Sequence, residues 1–211
     1  DDNLSFEAYR KKFSSVMEFL KEGDCYQINL SKQYKTIVDG DSWQFYKVFR
    51  NLNKSRYMAF LDFKDFEILS GSPERFIQVR DSDVVTRPIK GTKGRDKDPL
   101  QDQKNAEALK KSIKDQSENL MIVDLLRNDL SINCDIGSIK VTELFELESY
   151  PNVHHLVSTI SGKLKTESSM IKLFSDSFPG GSITGAPKIR AMEIIEELEE
   201  HNRELYCGSV V

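Results

Sequence analysis

Residues 57–92 read YMAFLDFKDFEILSGSPERFIQVRDSDVVTRPIKGT, and this stretch decides the fold. Four short runs rich in aromatic and β-branched residues, 57–63, 66–69, 76–79 and 84–89, are separated by turn signals at Asp65, at Gly71 to Pro73 and at Asp81 to Asp83. Such spacing predicts successive antiparallel strands forming a meander. Two positions in it carry chemistry. Glu74 lies in a tight turn between two runs, where backbone shape fixes the direction of a side chain. Lys90 follows Pro88 and precedes Gly91, at a strand end where the chain turns.

Upstream, Phe6, Tyr9, Phe13, Val16, Met17 and Leu20 recur at helical spacing behind a Ser5 cap, with Gly23 as the stop. Residues 24–35 then alternate as a strand, with Tyr26, Ile28 and Leu30 on one face and Cys25, Gln27, Asn29 and Ser31 on the other. The polar second face singles out Gln27. Residues 42–51 predict a second helix. Downstream, two helices are expected after Asp98-Pro99, one through Leu109 and Ile113 and one carrying Leu120, Val123, Leu126 and Leu130. Strands over 138–145 and 155–164, helices from Met170 and Pro187, and a final strand over 205–211 complete the pattern. Strands in runs, then helices, then strands, give an α+β class with mainly antiparallel sheets packed under helices. With no internal repeat or linker, one domain over residues 1–211 is expected.

The 211 residues, 38% hydrophobic and 30% charged, suit a soluble globular protein with a substantial core. No run approaches the roughly 18 apolar residues of a spanning helix, and Asp1-Asp2-Asn3 does not resemble the start of a signal peptide. The expectation is a cytoplasmic protein without a membrane. A net charge of −4 argues against a nucleic-acid partner, which needs a basic face. Cys25, Cys134 and Cys207 lack paired spacing, so neither a zinc site nor a disulfide framework is indicated. The chain has no initiating Met and stops in an apolar run, so a segment of a longer protein is expected.

Several groups are candidates for chemistry. Lys90 can attack carbon only if burial lowers its pKa well below the free value of about 10.4. Glu74 can act as a general acid if apolar surroundings raise its pKa. Asp115 and Glu118, three apart on one helical face, could hold Mg²⁺, a hard cation that prefers oxygen, while Ser117 or Asp115 could equally cap a helix N-terminus. Residues 179–188, PGGSITGAPK, form a glycine-rich loop entering a helix. Ala186-Pro187 stands where a nucleotide-binding loop would have Lys-Ser or Lys-Thr, so what survives is a generic anion site. His154 and His155 alternate to opposite faces of a strand, so at most one belongs to a given site.

Taken in order, GDCYQINL (23–30), SPERF (72–76), PIKGT (88–92), ENLMIVDL (118–125), HHLVS (154–158) and the glycine-rich loop resemble the chorismate-binding enzymes. The resemblance runs through essentially the whole chain. It implies that Lys90 adds to C2 of chorismate while Glu74 protonates the departing C4 hydroxyl. Lysine rather than alanine within PIKGT implies the branch of the family that makes 4-amino-4-deoxychorismate for para-aminobenzoate and folate, rather than the anthranilate branch. Gln27 stands where water-using members carry a lysine, and a glutamine cannot act as a base, so nitrogen is the implied nucleophile. The resemblance further implies Mg²⁺ on Glu118 with Asp115 in support, and ammonia from a glutamine amidotransferase subunit or domain. By position, Gly91, Thr92, His155, Ser182 and Tyr206 would line the substrate pocket. The family's domain continues beyond Val211 and has an amino-terminal lobe, so an incomplete domain is expected.

Overall fold

A computed structural model of the chain describes residues 4–209. Helix α1 (Phe6–Glu22) begins where the Ser5 side chain accepts from the Ala8 amide and ends at Gly23, whose φ of 82° is the left-handed conformation that stops a helix. Helix α2 (Ser42–Asn53) is capped by Asp41 and lies on the hairpin of β2 (Tyr57–Phe63) and β3 (Phe66–Ser72). Gly71 permits that approach, because a Cβ there would stand 2.5 Å from the Phe49 ring.

The main sheet has five strands: β4 (Arg75–Arg80), β5 (Asp83–Arg87), β6 (Ile89–Gly94), β7 (Lys140–Ser149) and β8 (Val153–Lys163). Strand β8 is its axis. One edge pairs along its length with β7; the other pairs with β5 at 160–163 and with β6 at 153–157. The corner between β5 and β6 is the buried Pro88, whose carbonyl accepts from the Ser158 amide at 3.2 Å. Proline has no N–H to add to the ladder, which suits it to this break. The expected four-strand meander is therefore corrected, and a further strand, β6, follows it. The β2–β3 hairpin is a separate sheet from β4 and β5, and β6 lies beside β8.

Helices α3 (Pro99–Lys110) and α4 (Ile113–Asn133) cover one face. The helix expected through Leu109 and Ile113 ends at Lys110. Ser112 caps a new helix at Ile113, accepting from the Asp115 amide at 3.3 Å. Ile122, Val123, Leu126 and Leu130 of α4 pack with Val84, Ile160 and Leu173 in the core, each fully buried aliphatic side chain contributing about 1.5–3 kcal/mol. Within this apolar layer, Asn119 accepts from the Ser158 hydroxyl at 2.6 Å and donates to the Leu156 carbonyl at 3.3 Å. These bonds fix the register of α4 against β8.

The chain closes with α5 (Met170–Ser177), a 3₁₀ turn at Gly181–Ile183, β9 (Gly185–Ala186) and α6 (Lys188–Leu198). Of the strand expected over 24–35, only β1 (Gln27–Ile28) forms, since its partner β9 is itself two residues long. The strand expected over 205–211 is also corrected. Residues 204–207 are turns, Glu204 and Cys207 have φ of 48° and 57°, and Val210 and Val211 lie outside the described residues. A strand needs a neighbouring edge to hydrogen-bond, and no described strand pairs with this segment. Among the described residues, no helix is long and apolar enough to cross a membrane.

Candidate active site

Between Ile89 and Thr92, β6 advances three residues while β8 advances two, from Val157 to His155. The extra residue is a β-bulge at Lys90-Gly91, and Gly91 takes φ 88°. Bulges re-aim side chains, and a left-handed position suits glycine. Here the bulge sends the Lys90 ammonium to the carbonyl of Ser182, 3.2 Å away in the glycine-rich loop. The same serine donates its hydroxyl to Glu74 Oε1 at 2.6 Å. Glu74 stands where β3 turns into β4, a turn in which the Ser72 hydroxyl donates to the Glu74 carbonyl at 3.3 Å. A single residue thus holds both candidate reacting groups.

Burial shifts the two groups in opposite directions from their ordinary pKa values. Burial pushes the Glu74 carboxyl up from its ordinary value, opposed by hydrogen bonds from Ser182 and the Ile89 backbone and by the charge of Lys90. Burial lowers Lys90, opposed by the charges of Glu74 and Glu118. Desolvation is the largest cause at both, so burial moves each group toward its uncharged form relative to water.

The loop is shaped from below. Asn29 donates to the Ser182 and Thr184 carbonyls at 3.2 Å each, and the guanidinium of Arg203 donates to the Ile183 carbonyl at 2.7 Å. Gly185 is required because a Cβ there would stand 2.0 Å from the Gln27 carbonyl oxygen. Glu74 and Ser182 line a cavity of about 170 Å³, and Ser182 also borders a groove of about 380 Å³ on its other side.

The remaining candidates fall at different distances from this centre. Thr92 and His155 are joined by a 2.8 Å hydrogen bond between Oγ1 and Nδ1. The Gly91 backbone also bonds to that ring, whose pKa burial lowers. His154 faces the other way, to Ser149 and Asp102. Gln27 holds a buried Oε1 without a hydrogen-bond partner, consistent with its place on the polar face of β1. Tyr206 is exposed and lines the 380 Å³ groove with Tyr9 and Phe13. Asp115 packs against Gly91, where a Cβ would meet its own Cβ at 2.9 Å, and Glu118 lies one turn on, 3.8 Å from Lys114. Sequence reading passed over Asn29, Asp129 and Lys188 as site-shaping residues; the polar face of residues 24–35 was the only hint of the first.

The chain matches the family described as chorismate binding enzyme over residues 1–211. The chain belongs to this family. It is 50% identical over 208 residues to aminodeoxychorismate synthase component 1 of Escherichia coli (strain K12), covering 99% of this chain and 46% of that protein. It is 40% identical over 210 residues to anthranilate synthase component 1 of Saccharolobus solfataricus, covering 100% of this chain and 50% of that protein. Among solved structures, anthranilate synthase component I from Streptococcus pneumoniae TIGR4 superposes with a TM-score of 0.87 at 32% identity, over 96% of this chain and 45% of that one. The chain thus spans about half the length of the relatives it matches.

Proposed function

We propose that this chorismate-binding chain is the catalytic part of an aminodeoxychorismate synthase component 1, which turns chorismate and ammonia into 4-amino-4-deoxychorismate. The observation that carries the reading is the Lys90–Ser182–Glu74 arrangement, a half-buried amine and a half-buried carboxyl linked through one residue. The 50% identity to a protein of that name supports it. Free Lys90 adds to C2 of the ring, both conjugated ring double bonds shift one place toward C4, and the C4–O bond breaks as Glu74 gives its proton to the departing hydroxyl, which leaves as water. Ammonia then attacks C4, both double bonds shift back, the Lys90 amine is expelled from C2, and the ammonium formed at C4 returns a proton to Glu74. Two displacements let ammonia enter on the face the hydroxyl left. Thr92 and His155, joined to each other beside the bulge, are suited to orient the substrate. The ammonia would come from a glutamine amidotransferase subunit or domain.

Mg²⁺ commonly binds one or two carboxylates and completes its shell with water and substrate oxygens. Glu118 and Asp115, one turn apart beside the Lys90 bulge, fit that demand. Among the described residues, no group of three acidic, histidine or cysteine side chains converges as a full protein cage. When bound, the ion would neutralise a substrate carboxylate. Glu118 would hold it, with Asp115 fixing the approach of α4 to Gly91.

The test is to incubate the full-length protein with chorismate, Mg²⁺ and ammonium and identify the product by chromatography and mass. The 4-amino-4-deoxy compound is expected. Anthranilate as the sole product would overturn the assignment.

A further inference from the structure

The Lys188 ammonium is largely buried and donates to two acceptors, Asp129 Oδ2 at 2.6 Å and the Ser177 carbonyl at 2.8 Å. Ser177 ends α5, Lys188 opens α6, and the loop 178–187 with Ser182 at its centre runs between them. This one side chain therefore closes the base of the loop and ties it to α4. That helix touches the site at two further points. Asp115 packs on the Gly91 bulge that aims Lys90, and Leu125 fills the space beside Gly181, where a Cβ would stand 2.3 Å from Leu125 Cδ2. One rigid helix thus gauges the distance between the strand that carries Lys90 and the loop that carries Ser182.

Stability alone is a poor reason for this arrangement. Taking two charges out of water is costly, and packed apolar side chains often replace a buried ion pair without loss. Burial raises the Asp129 pKa against the pull of Lys188, the sign of that cost. An apolar pair would lack direction: the ammonium makes two bonds of fixed length to two different elements, whereas hydrophobic contact is non-directional.

We propose that Lys188, through Asp129 and Ser177, is a positioning residue that sets the Ser182 carbonyl and hydroxyl at the distances needed to hold Lys90 and Glu74 together. The inference rests on the reading of Lys90 and Glu74 as the reacting pair. A shift of the loop by an ångström would open one of Ser182's two bonds while the apolar packing beneath stayed intact, and displacements of that size are worth up to about a hundredfold in rate.

The test uses the full-length protein, with the double replacement Lys188→Met with Asp129→Leu, which removes both buried charges, and the near-isosteric Asp129→Asn as a second variant. Thermal melting reports folding; ammonia-dependent turnover gives kcat and KM. Mass spectrometry follows the pH dependence of Lys90 acetylation by acetic anhydride. The expected result for the double variant is a melting temperature at or above the native one, with kcat down between about tenfold and a hundredfold and KM for chorismate within about twofold. The midpoint of Lys90 labelling should move from the native value. A double variant with native kcat and a native labelling midpoint would overturn the inference. Should the double variant not fold, the same labelling readout on Asp129→Asn decides. Labelling needs no turnover, so a native protein inert toward chorismate would sink the proposed function while the labelling midpoint still judged the role of Lys188.

Discussion

Lys90 in β6 and Glu74 in the turn between β3 and β4, sixteen positions apart, are joined through Ser182, whose carbonyl accepts from the amine at 3.2 Å and whose hydroxyl donates to the carboxyl at 2.6 Å. Lys90→Met should abolish any covalent adduct of substrate on the full-length protein, seen as mass added to the intact chain, and should lower kcat at least about tenfold. Native turnover by the variant would contradict the nucleophile role. Burial holds the folded-state pKa of Lys90 below the unfolded value. The charged form is therefore disfavoured by folding, and Lys90→Met should melt higher than the native protein at neutral pH. That gap should close as pH climbs from the folded pKa of Lys90 to its unfolded one.

Glu74 behaves with the opposite sign. Its pKa is raised by folding, chiefly through burial, so its stabilising contribution is complete below the ordinary carboxyl value and is lost as pH rises through the folded one. Glu74→Gln should therefore melt higher than the native protein at neutral pH and equal to it below about pH 4. General acids contribute about 10²- to 10⁴-fold, so kcat should fall by that order while chorismate still binds, as calorimetry would report. A Glu74→Gln protein with native kcat would remove the carboxyl from the mechanism.

What the sequence disclosed follows from how local each signal is. The cap at Ser5, the stop at Gly23 and the alternation in residues 57–89 act within a few residues, and the helix and strands they mark all formed. Lys90 and Glu74 were conspicuous because a charged group sat in a tight turn. Their connection was not legible, since Ser182 is 92 residues from one and 108 from the other. The same holds for Asp129 and Lys188, 59 residues apart and outwardly an ordinary helix acid and an ordinary loop lysine. The expected strands over 24–35 and 205–211 failed for a related reason: alternation shows that a segment can be a strand, but a partner edge decides whether it is one.

Asp102 gives a pH test away from Lys90 and Glu74. It accepts from Arg95 Nε at 2.8 Å and from the second guanidinium arm at 2.7 Å, with the Asp96 amide at 3.0 Å and His154 Nε2 at 3.0 Å. The Arg95 bonds are the largest cause holding its carboxyl well below the usual range. Stability from this group is present above the ordinary carboxylate pKa and lost as pH falls through the folded one. Asp102→Asn should lower the melting temperature at pH 7, with the gap to the native protein disappearing in strong acid. A gap that persisted unchanged into strong acid would show that packing, and not charge, is what Asp102 supplies.

Gly91 tests whether the bulge is what aims Lys90. An alanine there would have to hold φ near 88° and would bring its Cβ within 2.9 Å of Asp115 Cβ and 3.1 Å of Leu109 Cδ1. Backbone strain of this kind costs about 1–3 kcal/mol, and relieving the contact means moving the start of α4 or flattening the bulge. Gly94 lies on the same strand with nothing within 4 Å of where a Cβ would stand. Gly94→Ala should therefore stay within about 0.5 kcal/mol of the native protein in urea unfolding, while Gly91→Ala loses about 1–3 kcal/mol. Flattening the bulge would turn Lys90 away from Ser182, so Gly91→Ala should also lower kcat beyond what its unfolded fraction explains. Equal urea midpoints for the two variants would mean that the bulge is not needed to hold this strand.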